Sequence, residues 1–192
     1  SSGERIFANV YSGDFDSEVW VLSSDFASLP PAVHPTRNLL NISTRVRVEA
    51  GENAMIGGFI IQGSAPKKVL IRGLGPSLPL TGAMSDPVLE LHNSAGKLIA
   101  TNDNWTSDQL NILGTLLSPS SEREAAILMT LEPGAYTAIV HDVTNQPGLS
   151  LIEVYDLDAK NSSVANISTR GKVGFGDNVM IGGFIIGGED PT

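Results

Sequence analysis

The chain contains no cysteine and only three histidines in 192 residues. Without thiols it can form no disulfide, no thiol nucleophile and no thiolate zinc site. That absence assigns no compartment, since a chain long enough to bury a core needs no covalent staple. Basic residues are also few: 12 Lys and Arg stand against 21 Asp and Glu, for a net charge of −9. A nucleic-acid partner or an anionic membrane surface would require a basic face that such a balance does not supply. No apolar run approaches the roughly 18 residues of a membrane span. The opening Ser1-Ser2-Gly3 is followed by no basic and apolar leader, so the sequence reads as a mature or excised product without a membrane anchor of its own.

The usual catalytic constellations are missing too. His34 lies among prolines, His92 on an outward strand position and His141 beside Asp142 at a strand end, so no two histidines have metal-ligand spacing. Ser77 in GLGPSLP lacks the nucleophile-elbow pattern, and Gly73-Leu74-Gly75 is followed by neither the third glycine of a dinucleotide loop nor a phosphate-binding lysine. The carboxylates are scattered as on a solvated surface. The expectation is a protein that is not an enzyme and has no cofactor, with calcium the one ion to consider.

What the chain does have is turn chemistry and alternation. Twenty glycines and eleven prolines punctuate a composition that is 41% hydrophobic, as in a turn-rich all-β domain. Ile42, Thr44, Val46 and Val48 fall on one face and Ser43, Arg45 and Arg47 on the other, the pattern of a half-buried strand. Residues 55–61 are almost continuously apolar around Gly57-Gly58, which predicts a strand covered on both faces, with a bulge or a close backbone approach at the glycines. Further strands are expected at 69–72, 88–92, 97–101, 125–131, 135–140 and 149–157, with one or two helical turns within 109–117. Asn93-Ser94-Ala95-Gly96 and Glu132-Pro133-Gly134 both read as hairpin turns. The pattern predicts a Greek-key or jelly-roll β-sandwich.

One stretch occurs twice. Residues 41–66, NISTRVRVEAGENAMIGGFIIQGSAP, match residues 166–191, NISTRGKVGFGDNVMIGGFIIGGEDP, at 17 of 26 positions with a constant offset of 125. So long a period fits whole domains in tandem rather than a solenoid. Three segments follow: 1–37, an arm or the tail of a preceding unit, with a stiff linker at Pro30, Pro31 and Pro35; 38–160, a sandwich unit; and 161–192, a partial second repeat. The arm's strand-like runs at 5–11 and 18–22 read equally as a strand pair packed on the same domain. An apolar ribbon such as 179–186 cannot bury itself and must pair with its own chain, a neighbouring copy or a continuation. Candidate strand-donor and strand-acceptor residues are therefore Met55, Ile56, Phe59, Ile60 and Ile61 in the first copy and Met180, Ile181, Phe184, Ile185 and Ile186 in the second.

Two polar or aromatic features compete with that reading. Asn102, Asp103 and Asn104 form an oxygen-rich stretch that could hold calcium, or could be an Asx turn serving its own backbone. Trp105 and Trp20, the two tryptophans, are a candidate platform for polysaccharide or else core residues.

The segments NISTR, MIGGFII, KKVLIRGLGPSL, DPVLELHNSAGKLIATNDNW, LEPGAYTAIV and LIEVYDLD together resemble a family of tandem repeats in large secreted or surface proteins of bacteria. The middle portion is also similar to pre-peptidase C-terminal β-sandwich modules. The resemblance implies a secreted, extracellular or cell-surface location and an accessory rather than catalytic role. From it and the repeat together, the expected function is structural or adhesive, with copies of the chain associating, in the sharper form as a filament built by strand complementation. The alternative is an accessory module that binds carbohydrate or calcium.

Overall fold

The structure is a computed structural model that describes residues 7–9, 18–22, 38–49, 51–158 and 162–187. The proline linker of the arm, residues 159–161 and residues 188–192 lie outside the described residues. In chain order the strands are β1 (Phe7–Asn9), β2 (Glu18–Leu22), β3 (Asn38–Val48), β4 (Met55–Gly63), β5 (Lys67–Leu74), β6 (Pro87–Asn93) and β7 (Leu98–Asn102). A short helix α1 (Gln109–Leu113) precedes β8 (Ala125–Leu131), β9 (Gly134–Asp142), β10 (Gly148–Asp156), β11 (Ser162–Arg170) and β12 (Ile181–Gly187).

These strands make two antiparallel sheets packed face to face, an all-β sandwich. One sheet runs β1-β2-β11-β4-β9-β6-β7 and the other β12-β3-β10-β5-β8. Alternation explains which side chains lie between them: Ile42, Val46 and Val48 from β3, Phe59 and Ile61 from β4, Leu89 and Leu91 from β6 and Ile152 and Val154 from β10 are all buried in one cluster. At Gly57 a Cβ would stand 3.4 Å from Ile152 of the facing sheet, so the glycine marks a close approach. The bulge that the same glycines allowed lies elsewhere, in β11 between Ala165 and Ser168, where Asn166 takes a left-handed φ of 63°.

The Asn93–Gly96 hairpin is present between β6 and β7. The second expected hairpin is not. β8 pairs with β5, and β9 pairs with β4 and β6, so Glu132-Pro133-Gly134 carries the chain from one sheet to the other. Each side of that turn finds its partners far away in sequence, which local turn chemistry does not specify.

Outside the five-stranded sheet, Trp105 and Ile112 pack on Leu70 and Ala126, so the short helical segment covers part of the outer face. Several carboxylates expected at the surface are buried and caged. Glu124 accepts hydrogen bonds from the Gly75 and Ser77 amides and the Ser77 hydroxyl on one oxygen and from the Ser121 amide on the other, which fixes the loop after β5. Lys67 and Asp156 form a buried ion pair at 3.0 Å, and Asp156 also accepts from the Val164 amide, tying the end of β10 to β11.

Candidate functional site

The second repeat is folded into the same sandwich as the first, and the two copies meet about a local twofold. β3 and β11 carry the NISTR residues; β4 and β12 carry the GGFII residues. Neither copy closes as a hairpin, because β3 and β4 lie in different sheets, as do β11 and β12. Instead β4 pairs with β11, placing Ile56, Gly57 and Gly58 opposite Arg170, Thr169 and Ser168. Correspondingly β12 pairs with β3, placing Ile181, Gly182 and Gly183 opposite Arg45, Thr44 and Ser43. The repeat offset converts one set of pairs into the other. Each copy lends its second strand to the first strand of its counterpart, which is the logic of an isologous contact within one chain.

Positions that this twofold maps onto each other touch directly. The hydroxyls of Thr44 and Thr169 are hydrogen-bonded at 2.8 Å, and the backbones of Arg47 and Lys172 form an isolated antiparallel bridge. Val46 and Gly171 are also equivalent, and here the copies differ for a steric reason: a Cβ on Gly171 would stand 2.7 Å from Val46 Cγ1. One valine fills the space on the axis, and two would overfill it. Lys172 Nζ then reaches Glu49 at 3.1 Å across the same contact.

The environments of the two copies are otherwise unequal. β4 lies inside its sheet between β11 and β9, whereas β12 ends its sheet, with β3 as its one partner among the described residues. Phe59 is 2% exposed and its counterpart Phe184 is 60% exposed; Ile61 is 2% exposed and Ile186 is 59% exposed. Met55 is fully buried, while Met180 is half-buried against the edge of the core. Ile56 and Ile60 are half-buried, but Ile181 and Ile185 are exposed. Apart from Met180, the ten apolar candidates therefore divide by copy: those of β4 are core or half-covered, and Ile181, Phe184, Ile185 and Ile186 of β12 form an apolar edge, the kind that soluble proteins ordinarily cover or charge.

The far edge of β11 is taken by β2, with Val19 opposite Thr169 and Glu18 opposite Arg170. In the first copy the matching places, opposite Thr44 and Arg45, are held by Ile152 and Leu151 of β10. The arm thus occupies, beside the second NISTR strand, the seat that β10 occupies beside the first.

The polar candidates are engaged in holding the fold. Asn102 Oδ1 accepts from the Ala126 amide, its Nδ2 donates to the Asn104 carbonyl and to Ser107, and Asn104 Nδ2 donates to Asp103. These bonds tie the end of β7 to β8 and to the turn that follows, without a side-chain cap on either helical turn after it, and among the described residues no group of three His, Asp or Glu side chains is placed to hold a metal ion. Burial, then the nearby charge of Asp103, raises the carboxyl pKa of Asp86, with Arg123 opposing. Trp105, considered as a sugar platform, is instead buried, and its indole donates to the Ser121 carbonyl at 2.9 Å. The Trp20 side chain lies outside what is described; its backbone sits in β2.

Other polar contacts were not foreseen from the sequence. Glu90 on β6 ties His92 and His141 together, at 3.0 and 3.6 Å, a cross-strand cluster visible only once β6 and β9 are known to be neighbours. Arg72 is ion-paired with Glu153 and donates to the Leu117 carbonyl and the Tyr155 hydroxyl. Burial first, then Glu153, raises the Tyr155 pKa against the opposing effect of Arg72. Ser77 meets a buried glutamate, Glu124, which cages its loop. A crevice beside the twofold, lined by Ile42, Gly57, Phe59, Ile152 and Ile167, is mostly apolar. Comparison of the chain with family models, with curated proteins and with solved structures finds no match.

Proposed function

We propose that this is a structural, non-enzymatic protein of the cell exterior, in which β-sandwich units are joined, and copies associate, through sheet edges. The observation that carries the reading is the edge of β12, where Ile181, Phe184, Ile185 and Ile186 are exposed together. An open, apolar strand with few charges is a template for strand addition, and its contact with a further strand would recover both backbone hydrogen bonds and apolar burial. We keep the Greek-key or jelly-roll topology as part of this proposal, together with the secreted bacterial repeat family that the motifs resemble. The accessory calcium or carbohydrate reading is less favoured, because Asn102 is engaged with Ala126, Asn104 and Ser107 and Trp105 is buried.

The test is sedimentation of the chain over a wide concentration range, alone and as Ile185→Lys, since a lysine on an edge strand opposes edge pairing. The expected outcome is concentration-dependent association that the substitution abolishes. A chain that remains monomeric at every concentration would overturn the reading.

A further inference from the structure

We infer that the open edge of β12 is the seat of a β9-type strand, supplied by the body of a second repeat unit like residues 67–158, so that two units share one continuous pair of sheets about the observed twofold. The inference deepens the structural reading above and rests on it. Its first support is geometric. Because β4–β11 and β12–β3 have equivalent registers, the twofold assigns every partner of the first copy a counterpart in the second. β4 has β9 on its other side, with Phe59 opposite Tyr136 and Ile61 opposite Gly134. The counterparts of those β4 positions, Phe184 and Ile186, have no such strand beside them among the described residues.

The second support is chemical. Tyr136 of β9 also stacks its ring on Phe59, at 5.6 Å between centroids, and the repeat retains the same phenylalanine at 184. An exposed edge evolving for solvent would be expected to acquire charge; this one keeps the MIGGFII sequence of an interior strand unchanged. A third support comes from β11, whose outer edge already receives a strand, β2, in the seat that β10 holds in the first unit. A second unit would bring its own β10-type strand to that seat and displace β2.

The occupant is a unit body rather than another copy of this chain folded as described. In such a copy β9 is flanked on both sides, by β4 and β6, and cannot be donated. The resulting assembly would be closed: β3 and β4 of each unit would be covered by β4-type and β3-type strands of the other.

The experiment is to extend the chain by a second copy of residues 67–158 placed after Pro191, the equivalent of Pro66, and to compare hydrogen exchange of β12 with that in the 192-residue chain. The expected result is that the β12 amides directed away from β3 become protected to the level of β4, and that association through β12 disappears. In the same background, Phe184→Ala should lower the unfolding midpoint about as much as Phe59→Ala does, while leaving the midpoint of the unextended chain nearly unchanged. β12 amides that exchange as before overturn the inference, whether the added segment folds as a separate bead or fails to fold. The outcome is separable from the association test: a monomeric 192-residue chain removes association between copies and leaves the seat on β12 intact.

Discussion

Asp142 shows how one buried carboxylate can hold a corner of the sandwich. It closes β9 and receives hydrogen bonds from the Thr144 amide and hydroxyl, the Gln146 amide and the Ser85 hydroxyl. Burial alone would raise its pKa, but those donors prevail and hold it below the ordinary value of 3.8. A depressed folded pKa stabilises the fold above the unfolded value, and that contribution fades as pH falls through the folded one. Asp142→Asn should therefore cost about 1.5–3 kcal/mol at pH 7, with the two proteins converging in acid; urea unfolding at both pH values measures it. A difference that persists undiminished in acid would contradict the charge argument. Val46 and Gly171 make a second test at this scale. Gly171→Val alone should cost about 1–3 kcal/mol by overpacking, and Val46→Gly alone about 2 kcal/mol or more through lost burial and added backbone freedom. The double variant returns a valine to the axis from the opposite strand, so it should recover about 1 kcal/mol relative to the sum. Strict additivity in denaturant unfolding would mean that the two positions do not share the space.

At the scale of strands, the sequence was most legible where partners are close in the chain. β6, its turn at Asn93–Gly96 and β7 follow from alternation and turn chemistry because the pairing spans only a few residues. The faces of β3 were readable for the same local reason: Ile42, Thr44, Val46 and Val48 are all buried, joined only by Asn41 off the alternation. Alternation gives a face but not a neighbour, so Glu132-Pro133-Gly134 could not announce that β8 and β9 join different sheets. Nor does composition separate a solvated carboxylate from a caged one. Glu124, Asp142 and Asp156 are anchors only because residues such as Gly75, Ser85 and Lys67 arrive beside them from distant segments. Of the edge at β12, the sequence supplied the repeat and its apolar residues; the exchange of strands between copies depends on which sheet each strand enters, and no local pattern encodes that.

At the scale of the molecule, the twofold makes a demand that can be met between chains as well as within one. A chain ending at Asp158 would lack β11 and β12 and leave β3 and β4 bare on the same side of the sandwich. Those edges are complementary to each other in the registers already formed, with Arg45-type residues opposite Ile56 and Thr44-type residues opposite Gly57. The shortened chain should therefore dimerise, each β3 taking the partner's β4, as isologous interfaces require. The cysteine-free sequence permits a direct check. Thr44 meets its own equivalent near the axis, where Thr44 and Thr169 now touch at 2.8 Å, so a single Thr44→Cys substitution in the shortened chain places two thiols within reach of each other across the dimer. Oxidation should then give a covalent dimer at low micromolar concentration, with little of it for Thr130→Cys, a control on β8 at the opposite edge of the same sheet. A shortened chain that stays folded and monomeric and does not crosslink at position 44 would mean that strand exchange needs the covalent tether between repeats, and that the edge of β3 and β4 recognises its counterpart only when the counterpart is held beside it.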